Sequence, residues 1–204
     1  MKLAKLMIVS LALISTAESQ DIFTGISWDI GFPVGTTSDF VTKTSYAGFS
    51  FEGKRFIDPD ATVGLSIGWN HFSLLTTQTV QIQNGAISGT QVRYLNVVPI
   101  LLNTNYFLGS KNDDFRPFIG MNIGTYHVYD ELDIGVVALS NNLWHFGLAP
   151  EAGIMYQLDR NMYFLATVRY NYAFDEGTSL LGNDKNLCQY IGINLTLGGI
   201  EKGF

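Results

Sequence analysis

The feature that most constrains the fold is a two-residue alternation that recurs along the chain from residue 21 onward. One set of alternating positions is bulky and apolar, and the other is rich in Gly, Ser, Thr and Asn with scattered charges. Clear examples begin at Thr24, Ala61, Arg116, His145, Met162 and Leu187. Successive side chains of a strand point to opposite faces, and no convincing helical periodicity is present. With two less regular segments, Tyr46–Glu52 and Tyr94–Tyr106, the pattern predicts about eight strands.

The connectors between these strands alternate in length. Short, turn-like connectors follow strands two, four and six, at Ile57–Asp60, Gly109–Asp114 and Leu158–Asn161. Long ones follow strands three, five and seven, at about Phe72–Gln91, Val128–Asn142 and Phe174–Asn186, and the first connector, Thr36–Phe40, is intermediate. Short turns at one end and long loops at the other are typical of an up-and-down barrel that crosses an outer membrane. A soluble sandwich has no reason to sort its loops in this way.

The longest connector contains a hairpin signal of its own. In Val80–Ser88 the pair Asn84-Gly85 lies between alternating residues, which is a strong indication of a type I′ turn. A transmembrane strand needs only about 9–11 residues. We therefore expect strands three and four to continue beyond the membrane as a protruding ribbon, with a loop that has no fixed strand as the alternative.

The size and charge of the two faces indicate which one points outward. Hydrophobic residues make up 47% of the chain and charged residues only 15%. A soluble lipocalin-like carrier would enclose its bulky apolar face, and its exterior would then need more Lys and Glu than this chain has. The favoured fold is therefore an all-β, eight-stranded antiparallel transmembrane barrel with short periplasmic turns and longer extracellular loops. Aromatic residues on the lipid face predict a membrane-interface girdle, formed by Trp28, Trp69, Trp144, Tyr156, Tyr170 and Tyr172.

The N-terminus has the pattern of a secretory signal peptide. Lys2 and Lys5 form a short positive region, Leu6–Ala17 is an apolar run, and small residues follow at Ala17 and Ser19. The run is shorter than the roughly 20 residues of a membrane helix. We predict a cleaved signal peptide over residues 1–19 and one barrel domain over residues 20–204.

Charge and cysteine usage exclude several classes of protein. The net charge of −6 and the lack of a basic patch argue against a nucleic-acid partner. The single cysteine, Cys188, excludes an intramolecular disulfide framework. It also lies far from the predicted cleavage site, so we expect no N-terminal lipid anchor.

The polar face of the predicted strands would enclose five charged residues in the lumen. These are Asp29, Glu52, Arg116, Glu151 and Arg169. Counted from the tight turn at Asp159-Arg160, Glu151 and Arg169 lie at nearly the same height on adjacent strands, so we expect them to form an ion pair. We interpret the five as an interior ionic network, because side chains fill the lumen of an eight-stranded barrel. An ion-conducting path is the alternative.

Two prolines fall inside predicted strands. Pro99 and Pro150 would each remove a ladder hydrogen bond from a closed sheet. We expect local bulges to accommodate them.

No catalytic or metal-binding pattern stands out. Ser45, Ser50 and Ser66 lack the context of a nucleophile. Ser66 lies in a G-x-S-x-G, Gly64–Gly68, but this segment belongs to a predicted strand and not to a strand-to-helix turn. Asp58-Pro59-Asp60 begins like a calcium loop but lacks the downstream ligands. His71 and His127 fall on the outward face, His145 faces inward, and the three histidines with one cysteine have no metal-ligand spacing. We therefore expect no enzyme, no metal and no cofactor, with a lipid-modifying barrel enzyme as the less favoured alternative.

Two strands resemble those of a known family. Arg116–Gly124, RPFIGMNIG, resembles its RPYxGxGxG strand, and Phe146–Ile154, FGLAPEAGI, resembles its following FGxxPxxG strand. The family is that of the small OmpA/OmpX-like outer-membrane barrels, including porin-like members, and the resemblance extends over Asp21–Leu197. Such barrels often end in an aromatic residue in register with the lipid face, whereas Phe204 has the opposite parity, so we assign it no assembly role.

The resemblance implies a location and partners. It implies an integral protein of the outer membrane of a Gram-negative bacterium, inserted by the barrel-assembly machinery and surrounded by outer-membrane lipids and lipopolysaccharide. We expect a monomer with a structural or adhesive surface role. A narrow porin-like channel for small solutes is the alternative.

Overall fold

The computed structural model describes residues 21–82, 85–110, 113–134, 137–174 and 188–202. Its strands are β1 (Ile22–Pro33), β2 (Ser45–Asp58), β3 (Ala61–Ile82), β4 (Gly85–Phe107), β5 (Phe115–Ile134), β6 (Val137–Gln157), β7 (Met162–Ala173) and β8 (Gln189–Glu201), with one helix, α1 (Gly35–Phe40), after β1. Each strand pairs antiparallel with its neighbour in sequence, and β1 pairs with β8 to close the barrel. The predicted eight-stranded barrel is confirmed. The predicted signal peptide and Phe204 lie outside the described residues.

Three tight connections lie at one end of the barrel. They join β2 to β3, β4 to β5 and β6 to β7, at the positions that the sequence predicts. Both ends of the described chain lie at the same end, because Ile22 pairs with Glu201. This is the periplasmic end of the predicted orientation, and α1 lies at the opposite, extracellular end.

The predicted long loops differ from the structure. β3 and β4 stay paired as far as Ile82 and Gly85, which confirms the protruding ribbon. The prediction of a loop over Val128–Asn142 is wrong, because β5 and β6 continue to Ile134 and Val137. Most of the third connector, residues 175–187, lies outside the described residues.

A reversal of polarity explains why the extension of β5 was missed. Within the membrane its bulky apolar residues point outward, as Ile119 and Ile123 do. Further along, the buried inward residues include the apolar Val128 and Leu132, while Tyr129 and Glu131, at the alternate positions, face outward. Beyond the membrane the outside is water, so the apolar set moves to the inner face. Because the apolar residues change from one set of alternating positions to the other, the sequence pattern predicts the end of the strand at the point where it leaves the lipid.

Helix α1 was also not predicted, since six residues are too few to show a helical period. It begins at Gly35, whose φ of 53° is a conformation that favours glycine. At its other end Phe40 and the adjoining Val41 are completely buried. Among the described residues, no helix is long and apolar enough to cross a membrane.

The exterior of the barrel is apolar over the membrane-spanning part of the strands. Large hydrophobic side chains are exposed there, including Ile26, Leu65, Ile67, Leu102, Ile119, Met121 and Val168. A soluble monomer rarely exposes so large a contiguous apolar surface. The sequence-based assignment of the bulky face to lipid is therefore correct.

The interior consists of three layers. The periplasmic apolar cluster contains Phe23, Phe56, Phe107, Phe118, Met155 and Leu165. The extracellular apolar cluster includes Phe40, Phe72, Leu95, Leu101, Tyr126 and Tyr190. Between them is a polar layer, with Ser27, Asp29, Glu52, Lys54, Asn103, Asn122, Glu151, Arg169 and Asn194 all buried. The expectation of a polar interior thus holds only for the middle layer, and buried rings fill both ends.

The two prolines are accommodated without bulges. Pro99 pairs with Tyr126 and Pro150 with Met121 across an uninterrupted ladder. On its other side each proline lies in a two-residue gap in the ladder, and the register is the same above and below that gap. The expectation of bulges at the prolines is therefore wrong, because a local loss of pairing on one side is sufficient.

Gly124 on the inner face of β5 offers a test of how tightly the sheet is packed. A Cβ atom at this position would collide with the main-chain oxygen of Ile100 and approach Leu101 Cα to 2.9 Å. We expect Gly124→Ala to lower the free energy of unfolding by about 1–3 kcal/mol, because main chain cannot move aside cheaply. Gly53→Ala is the matched control, since a Cβ there meets nothing within 4 Å. The measurement is urea unfolding, followed by heat-dependent gel mobility. Equal unfolding midpoints for the two variants would contradict the prediction.

Candidate functional site

The central ion pair of the polar layer joins β6 and β7. Glu151 and Arg169 are directly opposite each other in the ladder. Glu151 Oε2 accepts a hydrogen bond from Arg169 Nε at 2.8 Å, and it also lies 2.8 Å from Arg169 Nη2. The other oxygen, Oε1, accepts from Asn105 Nδ2. Both charged residues are buried, so each depends on the other for compensation.

Two more acidic residues in the same layer have hydrogen-bond or ion-pair partners of their own. Asp29 Oδ1 accepts hydrogen bonds from Ser50 Oγ at 3.1 Å and from Asn194 Nδ2 at 2.5 Å. Glu52 forms an ion pair with Lys54, with 3.0 Å between Oε2 and Nζ. Sequence reasoning missed Lys54, although its parity on β2 is that of Glu52 and indicates an inward side chain.

Arg116 does not belong to this layer. Its guanidinium lies at the periplasmic end, where Nη2 contacts Asp60 Oδ1 at 2.8 Å and donates to the main-chain oxygen of Pro59 at 2.9 Å. It also lies over the ring of Phe107, 4.8 Å from the centroid. The expectation of one network containing Arg116 is therefore wrong: the tight β2–β3 turn supplies an acidic partner that the parity of the strands does not reveal.

The residues of the predicted girdle lie on the exterior. Trp28, Trp144, Tyr156 and Tyr170 are exposed, and Trp69 and Tyr172 are half-buried. Tyr156 lies near the periplasmic turns, and the other five lie nearer the extracellular end. The outward histidines join them: the His71 ring lies 5.7 Å from that of Trp69, and the His127 ring 4.7 Å from that of Trp144. His145 is buried inside.

Strands β3 to β6 form a sheet that rises above the rest of the barrel. β2 ends its pairing with β3 at Ala47 and His71. From Phe72 to Ile82, β3 pairs with β4 and with no other strand of the described chain. This edge is about 35 Å long at the usual rise per residue. Residues 72–92 contain no charged residue and no proline.

Arg93 holds α1 over the extracellular mouth. Its Nη1 donates to the main-chain oxygens of Phe40 at 3.1 Å and Asp39 at 3.4 Å, and its Nη2 donates to Gln91 Oε1 at 3.3 Å. The guanidinium also lies 5.6 Å from the centre of the Phe40 ring. Arg93 was not among the predicted site residues, because it precedes the segment of β4 that alternates recognisably.

The described residues contain no arrangement suited to metal binding, since no three His, Cys, Asp or Glu side chains lie close enough together. Two of the serines considered above have other hydrogen-bond partners. Ser50 donates to Asp29, and Ser45 donates to the main-chain oxygen of His71. Ser66 is buried within β3 and does not lie at a strand-to-helix turn.

Comparison with known proteins identifies the fold. No family model and no curated protein matches the sequence. Among solved structures, Ail, the attachment invasion locus protein of Yersinia pestis, in complex with the heparin analogue sucrose octasulfate, has a TM-score of 0.54 at 12% identity, over 90% of this chain and 99% of Ail. The N-terminal β-barrel domain of Pseudomonas aeruginosa OprF has a TM-score of 0.54 at 12% identity, over 90% and 100%. Pseudomonas aeruginosa OprG has a TM-score of 0.53 at 14% identity, over 92% and 97%.

This is the fold of the small outer-membrane β-barrels. At such low identities the likeness shows the fold alone, but the apolar exterior is an independent observation of the chain itself. Together they make the protein an integral membrane barrel of the outer-membrane type. A soluble lipocalin-like carrier is incompatible with that exterior.

The Glu151–Arg169 pair should matter strongly for stability. We expect Arg169→Ala to lower the free energy of unfolding by about 3–5 kcal/mol, because Glu151 would be left buried and uncompensated. Replacing both residues by methionine should cost less than Arg169→Ala, because no charge would remain unpaired. Arg160→Ala, in the exposed β6–β7 turn, is the control. An unchanged unfolding midpoint for Arg169→Ala would refute this role.

Proposed function

We propose that this outer-membrane barrel has a structural and adhesive role at the cell surface. The barrel acts as a rigid anchor, and the extracellular sheet of β3 to β6 is the adhesive part. The observation that carries the proposal is the long uncharged edge of β3. We further propose that the protein is a monomer inserted by the barrel-assembly machinery, with its aromatic belt among outer-membrane lipids and lipopolysaccharide. The closed β1–β8 seam and the exposed belt support this.

The edge of β3, which has no second partner strand in the described chain, supports adhesion by strand addition. Proteins normally protect such edges with lysine, proline or a bulge. The β3 edge has none of these, and its register with β4 is regular as far as Ile82. An extended segment of another protein can pair with such an edge through main-chain hydrogen bonds.

The charges of the extracellular end indicate which kind of partner fits. The structure of Ail includes a sulfated, polyanionic ligand. In this chain Glu131 and Asp133 lie on the outward face of the sheet, Arg93 is buried, and Lys43 is an exposed cation near the mouth. We therefore propose an uncharged, extended peptide segment rather than a polyanion as the partner.

The interior argues against the alternative of a narrow channel. Rings and aliphatic side chains fill the lumen in both apolar clusters, and many of these residues have almost no exposed surface. An ion would have to displace both clusters in order to cross. We expect the purified protein to give no stepwise conductance in planar lipid bilayers, and regular single-channel steps would contradict the proposal.

The role of the edge is tested by placing one lysine on it. We expect Leu75→Lys, on the exposed edge strand, to reduce severalfold the retention of protein-producing bacteria on an epithelial monolayer, because an edge lysine disfavours strand addition. Val92→Lys carries the same charge directly opposite Leu75, but its strand is paired on both sides, so its retention should stay near that of the wild type. Equal retention of both variants, or wild-type retention no higher than that of cells without the protein, would contradict adhesion through this edge.

A further inference from the structure

The extracellular mouth of the barrel is filled by the chain's own connector. Phe40 and Val41, at the end of α1, are completely buried in the extracellular apolar cluster. They pack there with side chains from the barrel wall, including Phe72, Tyr126 and Tyr190. The connector thus contributes an aromatic side chain to an apolar cup at the extracellular end of the barrel.

Helix α1 has little stability of its own. It is only six residues long, and no side chain caps its N-terminus. Isolated helices of this length do not persist in water. Tertiary contacts therefore hold the connector in place. They are the burial of Phe40 and Val41, the hydrogen bonds from Arg93, and a 2.7 Å hydrogen bond from Gln189 N to Thr37 Oγ1.

The cup also contains a buried cation, Arg93, that has no acidic partner among the described residues. Arg93 is only 6% exposed, yet its hydrogen bonds go to carbonyl and amide oxygens, and its Nε has no acceptor among the described residues. No described carboxylate lies within ion-pair distance of it. Burial accordingly lowers the pKa of the guanidinium.

We propose that this cup is a binding site for a small apolar carboxylate, preferably one with an aromatic ring, and that Phe40 with its main-chain oxygen is an internal substitute for that ligand. A carboxylate forms a bidentate, charge-assisted pair with a guanidinium, which is stronger than the contacts to carbonyl oxygens that Arg93 makes now. The ring of the ligand would take the place of the Phe40 ring beside Arg93. The site is independent of the adhesive edge of β3.

The layers below the cup define it as a binding site rather than a passage. The ligand would enter from the extracellular side, where α1 lies. Beneath the apolar cluster, the polar layer and the periplasmic rings fill the lumen. A molecule that displaces Phe40 would therefore remain in the cup.

Cys188 supplies a reporter for occupancy of the cup. It is the only cysteine in the sequence, it is completely buried, and it belongs to the same apolar cluster as Phe40. We would measure the rate at which N-ethylmaleimide modifies Cys188 in the folded, full-length protein. The probe ligand is 3-phenylpropionate, and 3-phenylpropanamide is its neutral counterpart.

We expect Phe40→Ala to raise the rate of Cys188 modification by tenfold or more, since removing a buried ring makes local opening easier. Addition of 3-phenylpropionate should then slow the modification of Phe40→Ala, by about tenfold at ten times its Kd. The neutral amide should protect far less. The same acid should not protect the Phe40→Ala/Arg93→Gln variant, which lacks the cation.

Two further variants control for nonspecific destabilisation and for misfolding. Phe23→Ala removes a completely buried ring from the periplasmic apolar cluster, and it should leave the Cys188 rate near that of the wild type. Val41→Ala is a milder opening of the same cup, for use if Phe40→Ala does not give the heat-dependent gel mobility of a folded barrel. The proposal is overturned if opening does not accelerate modification, if acid and amide protect equally, or if protection persists without Arg93.

Discussion

The hydrogen-bonded pairing of β1 with β8 is the interaction on which the rest of the structure depends. In lipid no water can satisfy a free strand edge, so the sheet must close on itself. The ladder from Ile22 to Pro33 provides that closure. Closure by only eight strands leaves a lumen that side chains fill, and every charge that alternation sends inward must be compensated there. Glu151 and Arg169 are thus a consequence of the closure as well as a support for it.

The same constraint weakens where the strands leave the membrane. Above the aromatic belt an unpaired edge in contact with water is tolerated, and within the described chain β3 has such an edge over Phe72–Ile82. Apolar side chains such as Phe72 and Leu95 turn inward there and pack in one cluster with Phe40 of α1. A single sheet thus has two parts. In the lipid-facing part the apolar side chains point outward, and in the water-facing part they point inward. The adhesive edge and the filled cup both belong to the second part, where water can satisfy main-chain groups that must be paired in lipid.

Comparison of the sequence with the structure shows which signals are reliable. Strand parity placed Asp29, Glu52, Glu151 and Arg169 inside, because a period of two needs no knowledge of neighbours. The strand parity that placed these residues inside could not separate Arg116 from them, since its partner Asp60 belongs to a turn. It also could not show that β5 continues past Val128, because the apolar face changes sides at the membrane surface. Helix α1 was missed for a different reason, as six residues carry too little periodic information.

The sequence by itself determined the number of strands, the tight turns, the lipid-facing side and the pairing of Glu151 with Arg169. These follow from alternation, charge content and counting along a hairpin, which are local properties. Only the tertiary structure decided how the lumen is layered, where Arg116 finds its acid, and what fills the extracellular mouth. Those outcomes depend on side chains that are distant in sequence, as Arg93 and Phe40 are, and that meet only because closure of the barrel brings their strands and connectors to the same place.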